Sequence, residues 1–66
     1  MKATINGAVL DLPDDLTVGM LLEKLGTAAT GVAVARNDAV VPRSQYDSVR
    51  VGDGDRVEII RAVAGG

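Results

Sequence analysis

Over the first dozen positions, apolar and polar side chains alternate with the two-residue period of a half-buried strand. Ala3 and Ile5 fall on one face, Lys2 and Thr4 on the other. Asn6-Gly7 follows, the pair that best tolerates the two positive φ angles of a type I′ hairpin turn. The returning strand, Ala8 to Leu12, sets Leu10 and Leu12 on one face around Asp11. Pro13-Asp14-Asp15 then breaks the ladder. From Thr17 the period changes. Val18, Leu21, Leu22 and Leu25 recur at i, i+3, i+4 and i+7, which predicts a helix from Val18 to Leu25 with one apolar face. Thr17 is its N-cap, with a hydroxyl able to accept from an orphan amide of the first turn. Gly26 suits the left-handed position that closes it. Asp14 and Asp15 lie just upstream, where negative charge favours the positive end of the helix dipole. Gly19 weakens the first turn.

Thr27 to Gly31 reads as a loop of small residues, and Gly31 to Arg36 as a nearly continuous apolar strand, covered on most of its surface. Asn37-Asp38 makes a turn before the short strand Ala39-Val40-Val41, which Pro42 stops. Arg43 to Val49 reads as irregular, with room for one 3₁₀ turn. Gly52-Asp53-Gly54-Asp55 is a turn cluster. Arg56 to Arg61 is the last strand, with Val57 and Ile59 inward and Ile60 on the opposite side, either exposed to a partner or covered by a loop. Two strands, a helix and three more strands suit an α+β roll, a mixed sheet packed on one main helix. The predicted core joins Leu21, Leu22 and Leu25 to Ile5, Val34, Val57 and Ile59. The domain is expected to span residues 1–62, leaving 63–66 as a tail expected to be mobile, since Val63 is its only bulky apolar residue.

Composition narrows what such a domain does. At 66 residues the chain is one small domain with a thin core. Neither cysteine nor histidine occurs, which removes thiolate metal sites, a cysteine nucleophile and the usual neutral-pH acid/base group. Tyr46 is the only aromatic residue. Seven basic residues against nine acidic ones give a net charge of −2. No basic patch is interleaved with aromatics, so nucleic acid is not an expected partner. No apolar run approaches the roughly 20 residues of a membrane span, and the expected location is the cytoplasm.

Side-chain chemistry finds little support. Asp14-Asp15 reads as solvated charge beside a helix rather than a catalytic pair. Gly52 to Asp55 lacks the spacing and terminal Glu of a calcium loop. Ser44 has no histidine to activate it. The tail is different: Val63-Ala64-Gly65-Gly66 carries almost no bulk and reaches roughly 13–14 Å beyond Ala62 when extended. It could enter a narrow channel and present the Gly66 carboxylate, although glycine-rich ends also arise by chance.

The stretch Val40-Val41-Pro42-Arg43-Ser44-Gln45-Tyr46, and then Gly54-Asp55-Arg56-Val57-Glu58-Ile59 running on to Gly65-Gly66, resembles the sulfur carriers of thiamine biosynthesis, the ThiS family. The opening hairpin, Thr17 to Leu22 and Val32 to Ala35 are similar to it as well. Asn37-Asp38 departs from the Asn-Gly common at that turn, and Tyr46 stands where tryptophan is frequent. The resemblance implies a ubiquitin-like β-grasp fold and a carrier that is not itself an enzyme and binds no cofactor. Gly66 would be the modified residue, with Val63, Ala64 and Gly65 as the segment that enters partners. The implied partners are an E1-like adenylyltransferase of the ThiF type using ATP and magnesium, a sulfur donor from a cysteine desulfurase pathway, and a thiazole synthase of the ThiG type. A molybdopterin synthase small subunit, a ubiquitin-like modifier of lysines and a plain β-grasp interaction module are the alternatives. The missing cysteines exclude a β-grasp ferredoxin.

Overall fold

The computed structural model describes residues 1–61, and in it the two ends of the domain meet in the middle of one sheet. The strands are β1 (Lys2–Ile5), β2 (Ala8–Asp11), β3 (Val32–Arg36), β4 (Ala39–Val41) and β5 (Arg56–Arg61), with helix α1 (Val18–Lys24) between β2 and β3. A 3₁₀ turn at Arg43–Gln45 follows β4. The sheet order is β2-β1-β5-β3-β4. β5 runs parallel to β1, with Val57 opposite Ile5, and antiparallel to β3, with Ile59 opposite Val34. β1–β2 and β3–β4 are antiparallel hairpins. This is the expected mixed sheet on one helix.

Both hairpins turn through the left-handed region. Asn6 and Gly7 have φ of 50° and 84°, and Asn37 and Asp38 have 50° and 69°. These are the I′ signs that match the twist of the flanking strands. Each asparagine also grips β5. Asn6 Oδ1 accepts from the Ile59 amide at 2.8 Å, while its Nδ2 donates to the Ile59 carbonyl at 3.3 Å. Asn37 Oδ1 accepts from the Arg56 amide at 2.9 Å, and its Nδ2 donates to Asp55 Oδ1 at 3.0 Å.

The helix begins as expected: Thr17 Oγ1 accepts from the Met20 amide at 3.1 Å. Leu25 is the C-cap, and Gly26 follows in the left-handed region at φ 69°. Val18, Leu21 and Leu22 are buried against Ala3, Ile5, Val34 and Val57. Leu25 is not. It lies 40% exposed, because the helix closes after Lys24 and the apolar periodicity outlasts the contact by one position. Ile59 is half-buried and packs on the core, whereas Ile60 is 61% exposed on the open face of the sheet.

The rest of the core comes from segments between the regular elements. Leu16, Val41, Tyr46 and Val51 are buried. The Val51 amide donates to the Leu16 carbonyl at 2.8 Å, and the Val18 amide donates to the Val49 carbonyl at 2.9 Å. Gly19 acquires a purpose here. Its amide donates to the Tyr46 carbonyl at 2.8 Å, and a Cβ on Gly19 would stand 2.7 Å from Asp47 Oδ1. The helix propensity it gives up, about 1 kcal/mol against alanine, accompanies this close approach.

Asp14 and Asp15 lie upstream of the Thr17 N-cap, and the first helical turn itself has no acidic residue. Asp14 Oδ1 lies 3.5 Å from the Met1 amino group and Asp15 Oδ1 lies 3.3 Å from Arg50 Nη1. Both carboxylates are well exposed, so each pair contributes no more than about 1 kcal/mol.

Asp55 anchors the turn that leads into β5. Its Oδ2 accepts from the Gly52 amide at 2.7 Å, Oδ1 accepts from Asn37, and Arg36 Nε lies 3.5 Å away. Burial pushes its carboxyl up, but these two donors and the Arg36 charge together outweigh it and hold the group below its ordinary value.

Two outcomes test this packing. Leu22→Ala empties a position only 1% exposed and should cost roughly 2–5 kcal/mol, read as a lower denaturation midpoint. Loss of so much would unfold a large share of so small a domain. For Asp55 the folded pKa is depressed, so its stabilising contribution is complete above the unfolded carboxyl value of about 3.9 and is lost as pH falls through the folded value. Asp55→Asn should therefore be less stable than the native protein at neutral pH. The difference should shrink in unfolding titrations carried down to about pH 2, and a constant difference would contradict the assignment.

Candidate functional site

Strand β5 delivers the chain to its end. It is the centre of the sheet, flanked by β1 and β3, and its last described residue, Arg61, pairs with Val32. On the helix side, Arg61 Nη2 donates to Thr27 Oγ1 at 3.3 Å. Arg43 Nη2 donates to Thr30 Oγ1 at 3.3 Å. Two arginines thus hold the loop of small residues that borders the end of β5. Gly26, Thr27, Thr30, Gly31 and Val32 line a shallow depression there with Arg61.

The tail that the sequence singles out, Val63, Ala64, Gly65 and Gly66, lies outside the described residues, as does the expectation of its mobility and of a domain boundary after residue 62. The described chain ends on β5 where Arg61 pairs with Val32 of β3, with an exposed Ile60 on one face of the sheet and Arg61 on the other. The pairing with β1 stops at Val57, and beyond it β5 is held by β3 and by the Asn6 side chain at Ile59.

The side-chain candidates are structural. Among the described residues no group of three or more Asp or Glu is placed to hold a metal ion, and no polar or charged residue is fully buried. Ser44 is an exposed member of the 3₁₀ turn. Asp53 and Gly54 stitch the start of β5 to β1: Asp53 Oδ1 accepts from the Lys2 amide at 2.8 Å, and the Gly54 amide donates to the Lys2 carbonyl at 2.7 Å. The Pro42-Arg43-Ser44 segment, specific in sequence, serves the fold by bringing Tyr46 under the loop, where its hydroxyl donates to the Val32 carbonyl at 3.4 Å. Tyr46 and Val51 were absent from the sequence-derived core because no periodic element contains them.

The likenesses to known proteins agree with this layout. A model of the ThiS family matches residues 2–66, nearly the whole chain and through the last glycine. A sulfur carrier protein ThiS from Escherichia coli is 35% identical over 66 residues, covering all of both chains. A thiazole synthase from Paramagnetospirillum magneticum is 44% identical over the same 66 residues. The chain spans 20% of the length of that protein. The crystal structure of the thiamine biosynthesis protein ThiS from Geobacter metallireducens superimposes with a TM-score of 0.86 at 35% identity, with both chains fully covered. Fold and sequence agree: the chain belongs to the ThiS family and has the ubiquitin-like β-grasp fold.

Proposed function

We propose that the protein carries sulfur as a thiocarboxylate on Gly66, and that partner enzymes perform every catalytic step. A carboxylate is a poor acyl donor, because its charge is delocalised and oxide is a poor leaving group. An E1-like adenylyltransferase would direct the Gly66 carboxylate onto the α-phosphorus of ATP, with magnesium neutralising the phosphates and pyrophosphate leaving. A persulfide from a cysteine desulfurase pathway would attack the resulting acyl adenylate and expel AMP. A second thiol would then cleave the S–S bond of the acyl disulfide and leave the thiocarboxylate. A thiazole synthase would accept this sulfur into the thiazole ring. ATP and magnesium belong to the adenylating partner, and the reaction cycle is cytoplasmic.

The observation that carries this reading is the family match extending through Gly65-Gly66. The chain's own composition supports it, since a chain with no cysteine or histidine lacks the common nucleophile and base for acyl chemistry. Small residues from position 64 onward suit a narrow channel, and glycine alone adds no side chain at the reacting end.

A single alanine appended after Gly66 tests the proposal. It converts the Gly66 carboxylate into an amide and moves the α-carboxylate one residue outward. With the adenylating partner, ATP and a sulfur source, the native chain should gain the mass of one sulfur less one oxygen. The extended chain should fold normally, show no such gain and support no ATP–pyrophosphate exchange. Thiocarboxylate on an untrimmed extended chain would refute the assignment to Gly66. Charging only by a molybdopterin-pathway enzyme would replace thiazole formation with that function.

A further inference from the structure

The side-chain carbonyl carbon of an asparagine or aspartate is an electrophile for the backbone amide nitrogen of the next residue. Attack is easiest when that residue is glycine, because no side chain crowds the approach. The chain has two such pairs, Asn6-Gly7 and Asp53-Gly54, and one other asparagine, Asn37, which Asp38 follows. The fold separates the three. At Asp53-Gly54 both reacting groups are held by β1: the Gly54 amide donates to the Lys2 carbonyl at 2.7 Å, and Asp53 Oδ1 accepts from the Lys2 amide at 2.8 Å. Asn37 faces a nucleophile flanked by the Asp38 side chain, and its own carboxamide is bonded to Arg56 and Asp55. Gly7 is free by comparison. It sits on the exposed tip of the β1–β2 hairpin at φ 84°, a Cβ there would meet nothing within 4 Å, and its amide donates to no group among the described residues.

What restrains Asn6 is β5. Its Oδ1 accepts from the Ile59 amide at 2.8 Å and its Nδ2 donates to the Ile59 carbonyl at 3.3 Å. These bonds lie where β5 has left β1, since the register of the two strands stops at Ile5 and Val57. Beyond that point β5 has β3 on one side and the Asn6 side chain on the other. Strand ends open locally at a small fraction of the global unfolding cost. Each opening at Ile59 releases the carboxamide to turn toward the Gly7 nitrogen.

We propose that Asn6 is a site of spontaneous deamidation, gated by the end of β5, and that its isoaspartate product lets go of that strand. The Gly7 nitrogen gives its proton to solvent base and bonds to Cγ of Asn6. The Cγ–Nδ2 bond breaks, and the nitrogen leaves as ammonia after taking a proton from solvent. Water then opens the cyclic imide. Cleavage on the backbone-nitrogen side of Cγ gives aspartate, and cleavage at the former main-chain carbonyl gives isoaspartate. Overall one water enters and one ammonia leaves, with no change of oxidation state. The two products differ in their hold on Ile59. Aspartate keeps an oxygen that accepts from the Ile59 amide but has lost the donor to its carbonyl. Isoaspartate puts an extra methylene into the main chain of a tight turn and leaves its carboxylate directly on the α-carbon, so neither bond survives. The result is a one-way mark of molecular age on the strand that precedes the terminal residues.

Incubation of the full-length protein in mildly alkaline buffer, followed by peptide mass mapping, tests the site. Methyl transfer from S-adenosylmethionine by a protein isoaspartate methyltransferase identifies the isoaspartate. In the folded protein residue 6 should gain the mass of a hydroxyl less an amino group and become methylatable, while Asn37 and Asp53 stay unchanged. In urea residue 6 should convert faster, and isoaspartate should appear at residue 53 as well. Conversion of Asn37 or Asp53 ahead of Asn6 in the folded protein, or none at Asn6 on prolonged incubation, would overturn the site. Equal rates at Asn6 in folded and urea-unfolded chains would overturn the gating. The isoaspartate form, separated by chromatography, should exchange its Ile59 amide hydrogen about tenfold faster than the native protein, the loss expected for about one hydrogen bond. Asn6→Asp, which retains the acceptor, should stay within about twofold of native at that amide. Native-like exchange at Ile59 in the isoaspartate form would overturn the release of β5. Equal acceleration at the Leu22 amide of α1 would show a general loss of stability and overturn it too.

Discussion

The pairing of β1 with β5 is the constraint on which the rest of the structure depends. It brings residues more than fifty positions apart into register, with Ile5 beside Val57 at the centre of the core. Closing so long a loop is entropically costly, and the return comes only when α1 covers the joined strands. The chain reinforces the pairing from both hairpins. Asn6 holds β5 at Ile59 and Asn37 holds it at Arg56, each with a side chain already committed to a tight turn. A positive φ and a specific hydrogen bond are therefore satisfied by the same residue. Asp55 completes the grip at the entrance to β5.

This construction has a functional consequence. The strand held most firmly is the one that leads into the terminal residues. A carrier needs a body that partners recognise and an end they can reach, and the two have different physical requirements. Order in the body comes from buried aliphatic residues and strand pairing. Entry into a partner demands the opposite: little side-chain volume and little intrinsic structure. The last described residues of β5 keep a fixed place in the sheet through their pairing with β3.

Much of this was legible in the sequence because the signals are local. The hairpin at Asn6-Gly7, the Thr17 cap and the helical spacing of Val18, Leu21 and Leu22 each depend on neighbours within a few residues. Strand alternation correctly set Ala3, Ile5 and Val57 inward. The family motifs near Pro42 and along Gly54 to Ile59, together with the terminal glycines, were enough to indicate the ThiS family and the β-grasp fold. No single pattern would have sufficed: glycine-rich ends are common, and mixed sheets on one helix serve many functions.

Tertiary structure decided the remainder, wherever the physical cause lies far away in sequence. Periodicity extended the helix face to Leu25, but the helix closes after Lys24 and leaves Leu25 as an exposed C-cap. Asp14 and Asp15 are exposed charges, as their sequence context suggests, but only the fold sets them beside Met1 and Arg50. Tyr46 and Val51 entered the core from a segment without periodicity, because the backbone bonds of Val18 and Val51 draw residues 46–51 along the start of the helix. Ile60 could have faced solvent or a covering loop. Its exposure followed only once β5 had taken the centre of a sheet with a single helix on one side. Sequence fixes what each residue prefers over a few neighbours; which face of the sheet stays open depends on where the whole chain can bury its aliphatic surface.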